Sequence, residues 1–205
     1  MKPIRVLLLS LSFFAVAAGV LVYLSKQPGT PDITTATMYP APQAIADFAL
    51  VDTAGQPVGR EFFQGQWDMV FFGFTNCPDI CPVTLQILSN ARKQIDNAGL
   101  TPLPRIVLVS VDPERDTPEK LSEYIGYFGD GIAGLTGPLP ELRSFTLDLG
   151  VFFQKADNEG GAEFYNVDHS AVVLLIDPEA RVRGLYSAPQ RADLIAADYP
   201  GVLAL

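Results

Sequence analysis

The chain has 205 residues, 48% of them hydrophobic and 18% charged, enough apolar side chains for a core and too few charges for wholesale disorder. A net charge of −9 leaves no basic footprint for nucleic acid, and no nucleic-acid partner is expected. Two cysteines are too few for a disulfide scaffold, and a single histidine rules out any site built on two imidazoles.

Residues 6–24 form an uncharged apolar run of 19 positions, long enough for a helix to cross a hydrocarbon core. Lys2 and Arg5 precede it, so the positive-inside rule keeps the N-terminus in the cytoplasm and exports the rest. Ala15-Val16-Ala17 has the small-x-small pattern of a cleavage site, but the apolar run continues well past it. Residues 1–24 are therefore read as an uncleaved membrane anchor. A cleaved signal peptide would export the domain equally.

Residues 25–42, SKQPGTPDITTATMYPAP, are rich in Pro and Thr and lack a period, which predicts a linker and places one domain over residues 43–205. Phe48–Val51 reads as a short strand before a turn at Gly55, and Met69–Phe74 as a strand buried on both faces. Residues 82–98 carry a helical apolar stripe closed by Gly99. Ile106–Val111 is a second buried strand. Thr117-Pro118-Glu119 starts a helix, with a capping hydroxyl, a proline in the first turn and an acid beside it, running to about Phe128. A further helix is expected over Leu139–Leu149, strands over Val172–Ile176 and Val182–Tyr186, and a closing helix over Arg191–Tyr199. Alternating strands and helices followed by a strand pair predict a three-layer α/β domain.

The chemistry concentrates in Cys77 and Cys81, directly after the buried strand and at the mouth of the next helix. In helical geometry two such residues lie about 6 Å apart on one face, close enough to share a metal ion or to form a disulfide. A helix N-terminus favours thiolates, so lowered thiol pKa values are expected. A purely structural bridge over so short a loop would constrain the unfolded chain little. The spacing is not the C-x-x-C of thioredoxins, and the chain cannot supply four ligands for structural zinc. Two thiolates and one imidazole suit three-coordinate Cu(I). His169, just before the strand Val172–Ile176, is the one imidazole. Two roles are open to it: a surface histidine bonded to Asp168 or Ser170, or a ligand at the rim of the sheet beside the cysteines. Residues 154–166 are expected to be a hairpin or loop. Phe71, Phe72, Phe74, Phe152 and Phe153 are assigned to the core.

Four strings then stand out: Gly73-Phe74-Thr75-Asn76-Cys77-Pro78-Asp79-Ile80-Cys81-Pro82, Val109 to Glu119 (VSVDPERDTPE), Gly134-Leu135-Thr136-Gly137, and Val167-Asp168-His169-Ser170. In this order, across residues 46–199, the chain resembles the Sco/SenC family of copper proteins. The resemblance implies a thioredoxin-like three-layer α/β domain behind a single N-terminal transmembrane helix. It implies Cu(I) and Cu(II) bound by Cys77, Cys81 and His169, and a role in maturing the copper centre (CuA) of cytochrome c oxidase, by delivering copper to it or by reducing its thiols. The implied partners are the oxidase's copper-bearing subunit, a copper donor and a thioredoxin-like reductant. The expected location is a bacterial inner membrane, single-pass, with the domain in the periplasm. Asn76 stands where many relatives have histidine. The competing reading is a thiol-disulfide oxidoreductase or peroxidase in which Cys77 attacks and Cys81 resolves. Against it, no proline precedes the strand that faces the pair, and no Thr-x-x-Cys is present. For residues 112–119, turn and capping duties account for Thr117 and Pro118, while Asp112 and Arg115 have no assigned role.

Overall fold

The computed structural model describes Gly19, residues 32–156 and residues 165–205. The expected anchor, residues 6–24, lies outside this description except for Gly19. Among the described residues no helix is long and apolar enough to cross a membrane.

The run DMVFFG forms β4 (Asp68–Gly73), and every one of its residues is buried. Only a strand covered on both faces shows that pattern. β4 pairs in parallel with β5 (Arg105–Ser110), which pairs in parallel with β6 (Ile132–Thr136). Parallel neighbours require crossovers, and these contain α1 (Ile80–Asn97) and α2 (Pro118–Gly126). On the other side β9 (Val172–Ile176) runs antiparallel to β4 and turns into β10 (Arg181–Ser187). Two short N-terminal strands, β2 (Leu50–Asp52) and β3 (Pro57–Val58), extend the far edge beyond β6. A helix α3 (Leu139–Asp148) follows β6, and α4 (Ala192–Leu203) follows β10. A βαβ unit joined to a β-hairpin and a helix is the expected thioredoxin-like arrangement. Residues 33–199 form one compact unit, which carries every feature discussed below.

The largest departure from expectation is at residues 37–42, read as linker. They belong to β1 (Thr37–Ala44), the edge strand paired with β10. Prolines argue against a strand only where backbone N–H groups are needed. Here Pro40 and Pro42 fall where the register is interrupted, between Met38 and Gln43. The buried carboxylate of Asp198 secures the approach, accepting from Thr34, Thr35 and Ala36 backbone N–H groups at 2.9–3.0 Å. Gly184 permits the close pairing, since a Cβ there would stand 2.4 Å from the Thr37 carbonyl oxygen.

The remaining differences are smaller. β6, not anticipated, contains Gly134, where a Cβ would meet Leu121 and Thr53 at 2.8 Å, so α2 packs directly on its backbone. The hairpin expected as one alternative over residues 154–166 is, by contrast, borne out in the described residues as a two-stranded ribbon, β7 (Phe153–Lys155) with β8 (Val167–His169). Residues 157–164 between them lie outside the description. Phe71, Phe72 and Phe74 are buried as expected, but Phe152 is 67% exposed and not part of the core.

Candidate metal centre

The two cysteines differ in setting. Cys77 lies in the loop after β4, outside the helix, with its N–H donating to the Phe74 carbonyl at 3.3 Å. Cys81 is in the first turn of α1 and fully buried. Helix starts leave N–H groups without partners. Asp79, in the capping position, makes no side-chain cap bond. The Cys77 sulfur fills part of that role by accepting from the Cys81 N–H at 3.4 Å. Gly73 makes room for the second sulfur: a Cβ there would lie 2.8 Å from Cys81 Sγ.

The expected lowering of thiol pKa by the helix does not hold for Cys81. Burial pushes this thiol well up, and the neighbouring Cys77 adds to the rise, because a charge in that dry position has little solvation. Metal-free Cys81 is therefore a protonated thiol near neutrality.

His169 ends β8, and its Nε2 lies 3.6 Å from Cys81 Sγ. Its Nδ1 lies 3.4 Å from the Ser170 carbonyl oxygen, which can take the Nδ1 proton and leave the Nε2 lone pair facing the sulfurs. Burial lowers the His169 pKa, opposed in part by that carbonyl, and so favours the neutral imidazole a metal needs. The Phe74 ring stands edge-on to the imidazole at 6.2 Å. Of the two roles left open for His169, the structure brings it to the cysteines. Cys77 Sγ, Cys81 Sγ and a His169 ring nitrogen lie within 4.8 Å of one another, close enough for one ion to touch all three. Two soft sulfurs and a borderline nitrogen, with no carboxylate in the set, favour a soft metal. An open pocket of about 340 Å³ leads to Cys77 and His169 past Pro78, Asp79, Ile80 and Asp168, while Cys81, fully buried, is not part of its lining.

Sequence reasoning missed the residues that hold this arrangement from behind. Asp116, 1% exposed, accepts from Thr75 N–H (2.9 Å), Thr75 Oγ1 (2.5 Å) and Ser110 Oγ (2.7 Å). It thereby ties the start of the cysteine loop to the end of β5. Asp112 and Arg115 form an ion pair at 2.5 Å that engages Tyr165. Thr117 is the helix cap that its sequence promises, accepting from Lys120 N–H at 3.3 Å. Asn76 accepts from Lys120 Nζ at 2.7 Å. The run of acids among prolines and a threonine was the available signal for this loop, but sequence alone does not say which acid is buried.

The SCO1/SenC family profile matches residues 36–204. A relative from Stutzerimonas stutzeri, named as copper-binding, is 36% identical over 172 residues, covering 84% of this chain and 83% of that protein. The mitochondrial Protein SCO1 homolog 1 of Arabidopsis thaliana is 37% identical over 147 residues, 71% of this chain but 43% of the relative, so the chain spans less than half of that protein. Among solved structures, Arabidopsis thaliana ScoI with copper bound superposes with a TM-score of 0.73 at 34% identity, covering 79% of this chain and all of the other. Yeast Sco1 with copper bound gives a TM-score of 0.72 at 28% identity, covering 80% and 91%. With the family profile matched over the whole described domain, the chain belongs to the SCO1/SenC family.

Proposed function

We propose that this chain is a membrane-anchored copper chaperone that holds copper on Cys77, Cys81 and His169 and delivers it to the CuA centre of cytochrome c oxidase. The observation that carries the reading is the convergence of two sulfurs and one imidazole nitrogen within 4.8 Å. Copper-bound structures of ScoI and Sco1 support it. Loading begins from two free thiols and a neutral imidazole. Cu(I) binds as the thiols give up their protons, and the soft sulfurs favour the reduced ion. A pocket that opens onto Cys77 and His169, at a site with only three protein ligands, leaves room for a recipient's ligand to attack before those of this chain leave.

The recipient is the oxidase's copper-bearing subunit, as the family resemblance implies. Residues 1–24 anchor the domain to a bacterial inner membrane, and residues from 25 to the start of β1 carry it into the periplasm. In that oxidising space a thioredoxin-like reductant keeps the pair open, and a separate donor supplies copper. Mixing the Cu(I)-loaded chain with the metal-free copper subunit tests delivery. With two equivalents of loaded chain and a mild one-electron oxidant added after transfer, the absorption of assembled CuA should develop with the parent and fail with Cys81→Ser. Copper that stays on the parent chain would contradict the proposal.

A second reading has its own support. Cys77 is 9% exposed and Cys81 not at all, the asymmetry of an attacking and a resolving thiol. In that reading the dithiol becomes a disulfide, losing two protons and passing two electrons to a disulfide substrate. It gives His169 no essential part, so the His169→Ala variant separates the two.

A further inference from the structure

The strand that presents His169 is not part of the main sheet. Among the described residues β8 pairs only with β7, with Phe153 opposite His169 and Lys155 opposite Val167. Two-stranded ribbons are marginal on their own, so this one needs a seat. Its inner end is tied by Ser170 N–H donating to the Phe152 carbonyl at 3.0 Å, and its outer end by Ala156 N–H donating to the Asn166 carbonyl at 2.9 Å. Both bonds lie within the ribbon and do not attach it to anything else.

The attachment is made by residues 112–116, which follow β5. Tyr165, two residues ahead of β8 and 8% exposed, lies with its ring 3.6 Å from the Arg115 guanidinium carbon and 3.7 Å from Lys155 Nζ. Its hydroxyl donates to Asp112 Oδ1 at 2.5 Å, with Glu114 Oε2 3.2 Å away. Arg115 Nε donates to the other Asp112 oxygen at 2.5 Å, and its terminal nitrogen to the Tyr165 carbonyl at 3.0 Å. Asp112 is 3% exposed, so these charge-assisted bonds sit where water competes poorly. Arg115 also lies 5.7 Å from the ring of Phe74, the residue edge-on to His169. The same short stretch carries Asp116, which holds Thr75 at the start of the cysteine loop. One loop thus grips both halves of the metal centre.

We propose that Arg115, acting through Tyr165 and Asp112, is a positioning residue that seats the β7–β8 ribbon and so fixes His169 against the sulfur pair. The proposal rests on the copper reading above. Loss of Arg115 removes the cation over the Tyr165 ring and the bond to its carbonyl. The outer end of the ribbon is then held only by the Tyr165 hydroxyl on Asp112 and the exposed Lys155–Glu114 ion pair, so it lifts more often and His169 spends less time at Cys81. Cys77 and Cys81 are untouched, so Arg115 acts on copper only by way of the imidazole.

A double-mutant cycle with anaerobic Cu(I) competition reads that dependence directly. Arg115→Ala alone should weaken Cu(I) binding by about 10- to 100-fold, the usual cost of losing an outer partner of a metal ligand. Introduced into His169→Ala, it should change affinity by less than about threefold. Tyr165→Phe keeps the ring under Arg115 and loses the bond to Asp112. It should cost several-fold in the parent and nothing in His169→Ala, and it serves as the test if Arg115→Ala fails to fold. In the metal-free chain, the amides of Ala156 and Ser170 should exchange faster in Arg115→Ala, with those of β4 unchanged. Equal losses in the two backgrounds, or no loss from either variant in the parent, would overturn the seating role. A His169→Ala chain that binds Cu(I) as tightly as the parent would instead overturn the copper reading itself.

Discussion

Asp116 is the residue on which the cysteine loop depends most, and its removal has a cost that can be worked out. Its carboxylate accepts from the Thr75 amide and the Ser110 hydroxyl on one oxygen and from the Thr75 hydroxyl on the other, in a site 1% exposed. Asp116→Ala strands three donors. A buried unsatisfied donor costs about 1–3 kcal/mol, but hydroxyls rotate to other acceptors whereas the Thr75 amide is fixed by the backbone. A total of about 3–4 kcal/mol follows, against a typical domain stability of about 5–15 kcal/mol. Asp116→Asn should be far milder. Its remaining oxygen can keep the Thr75 amide and Ser110, while its NH₂ faces the Thr75 hydroxyl, which can accept. A loss of about 1 kcal/mol is expected. Urea unfolding followed by the fluorescence of Trp67, the single tryptophan, gives both numbers, provided the denaturant slope is unchanged. Asp116→Ala within 1 kcal/mol of the parent, or Asn as damaging as Ala, would refute the argument (~1 kcal/mol being the worth of one ordinary hydrogen bond).

Three further outcomes are expected. Gly73→Ala places a Cβ 2.8 Å from Cys81 Sγ and 3.0 Å from a ring carbon of Phe71, so it should cost about 1–3 kcal/mol and weaken Cu(I) binding by displacing the sulfur; unchanged affinity in a chelator competition would contradict the packing argument. Because burial pushes the Cys81 thiol up, copper loading must displace at least its proton, so the apparent Cu(I) affinity should rise about tenfold or more per pH unit near neutrality. Calorimetry in buffers of different ionisation enthalpy counts that proton, and a value of zero would show that Cys81 is already a thiolate before copper binds, against the effect of burial. The third outcome concerns His169, whose folded pKa is lowered by burial. As pH falls through about 6.5 the unfolded chain takes up the proton first, so the metal-free fold loses stability until the lower folded pKa is passed. His169→Gln should flatten the pH dependence of the urea midpoint below 6.5, and an unaltered slope would mean that the imidazole is not desolvated in the metal-free fold (reference value 6.5).

The parts of the fold legible in the sequence were those governed by local pattern. The apolar run of β4, the stripe of α1 and the Thr117 cap each rest on a few neighbouring residues, and the observed elements fall within a few positions of expectation. What escaped depends on partners distant in the chain. β1 looks like tether because its prolines occupy a bulge that only the pairing with β10 creates. β8 was hidden because its pairing lies across the ribbon rather than in the main sheet. In the metal centre the cysteine pair was evident from its place after a buried strand, while His169 needed the topology to bring residues 88 apart in sequence to 3.6 Å. The reversed pKa of Cys81 is the same lesson in electrostatics: a helix start pulls a thiol down, but full burial outweighs it.

An anaerobic Cu(I) titration of the reduced chain beside its His169→Ala variant, with a competing chelator, decides whether two sulfurs and one nitrogen hold the copper. One tightly bound Cu(I) per parent chain and a large loss of affinity in the variant are expected. Weak binding by the parent, or binding indifferent to His169, would contradict that ligand set and leave thiol-disulfide exchange at Cys77 and Cys81 as the chemistry of the site.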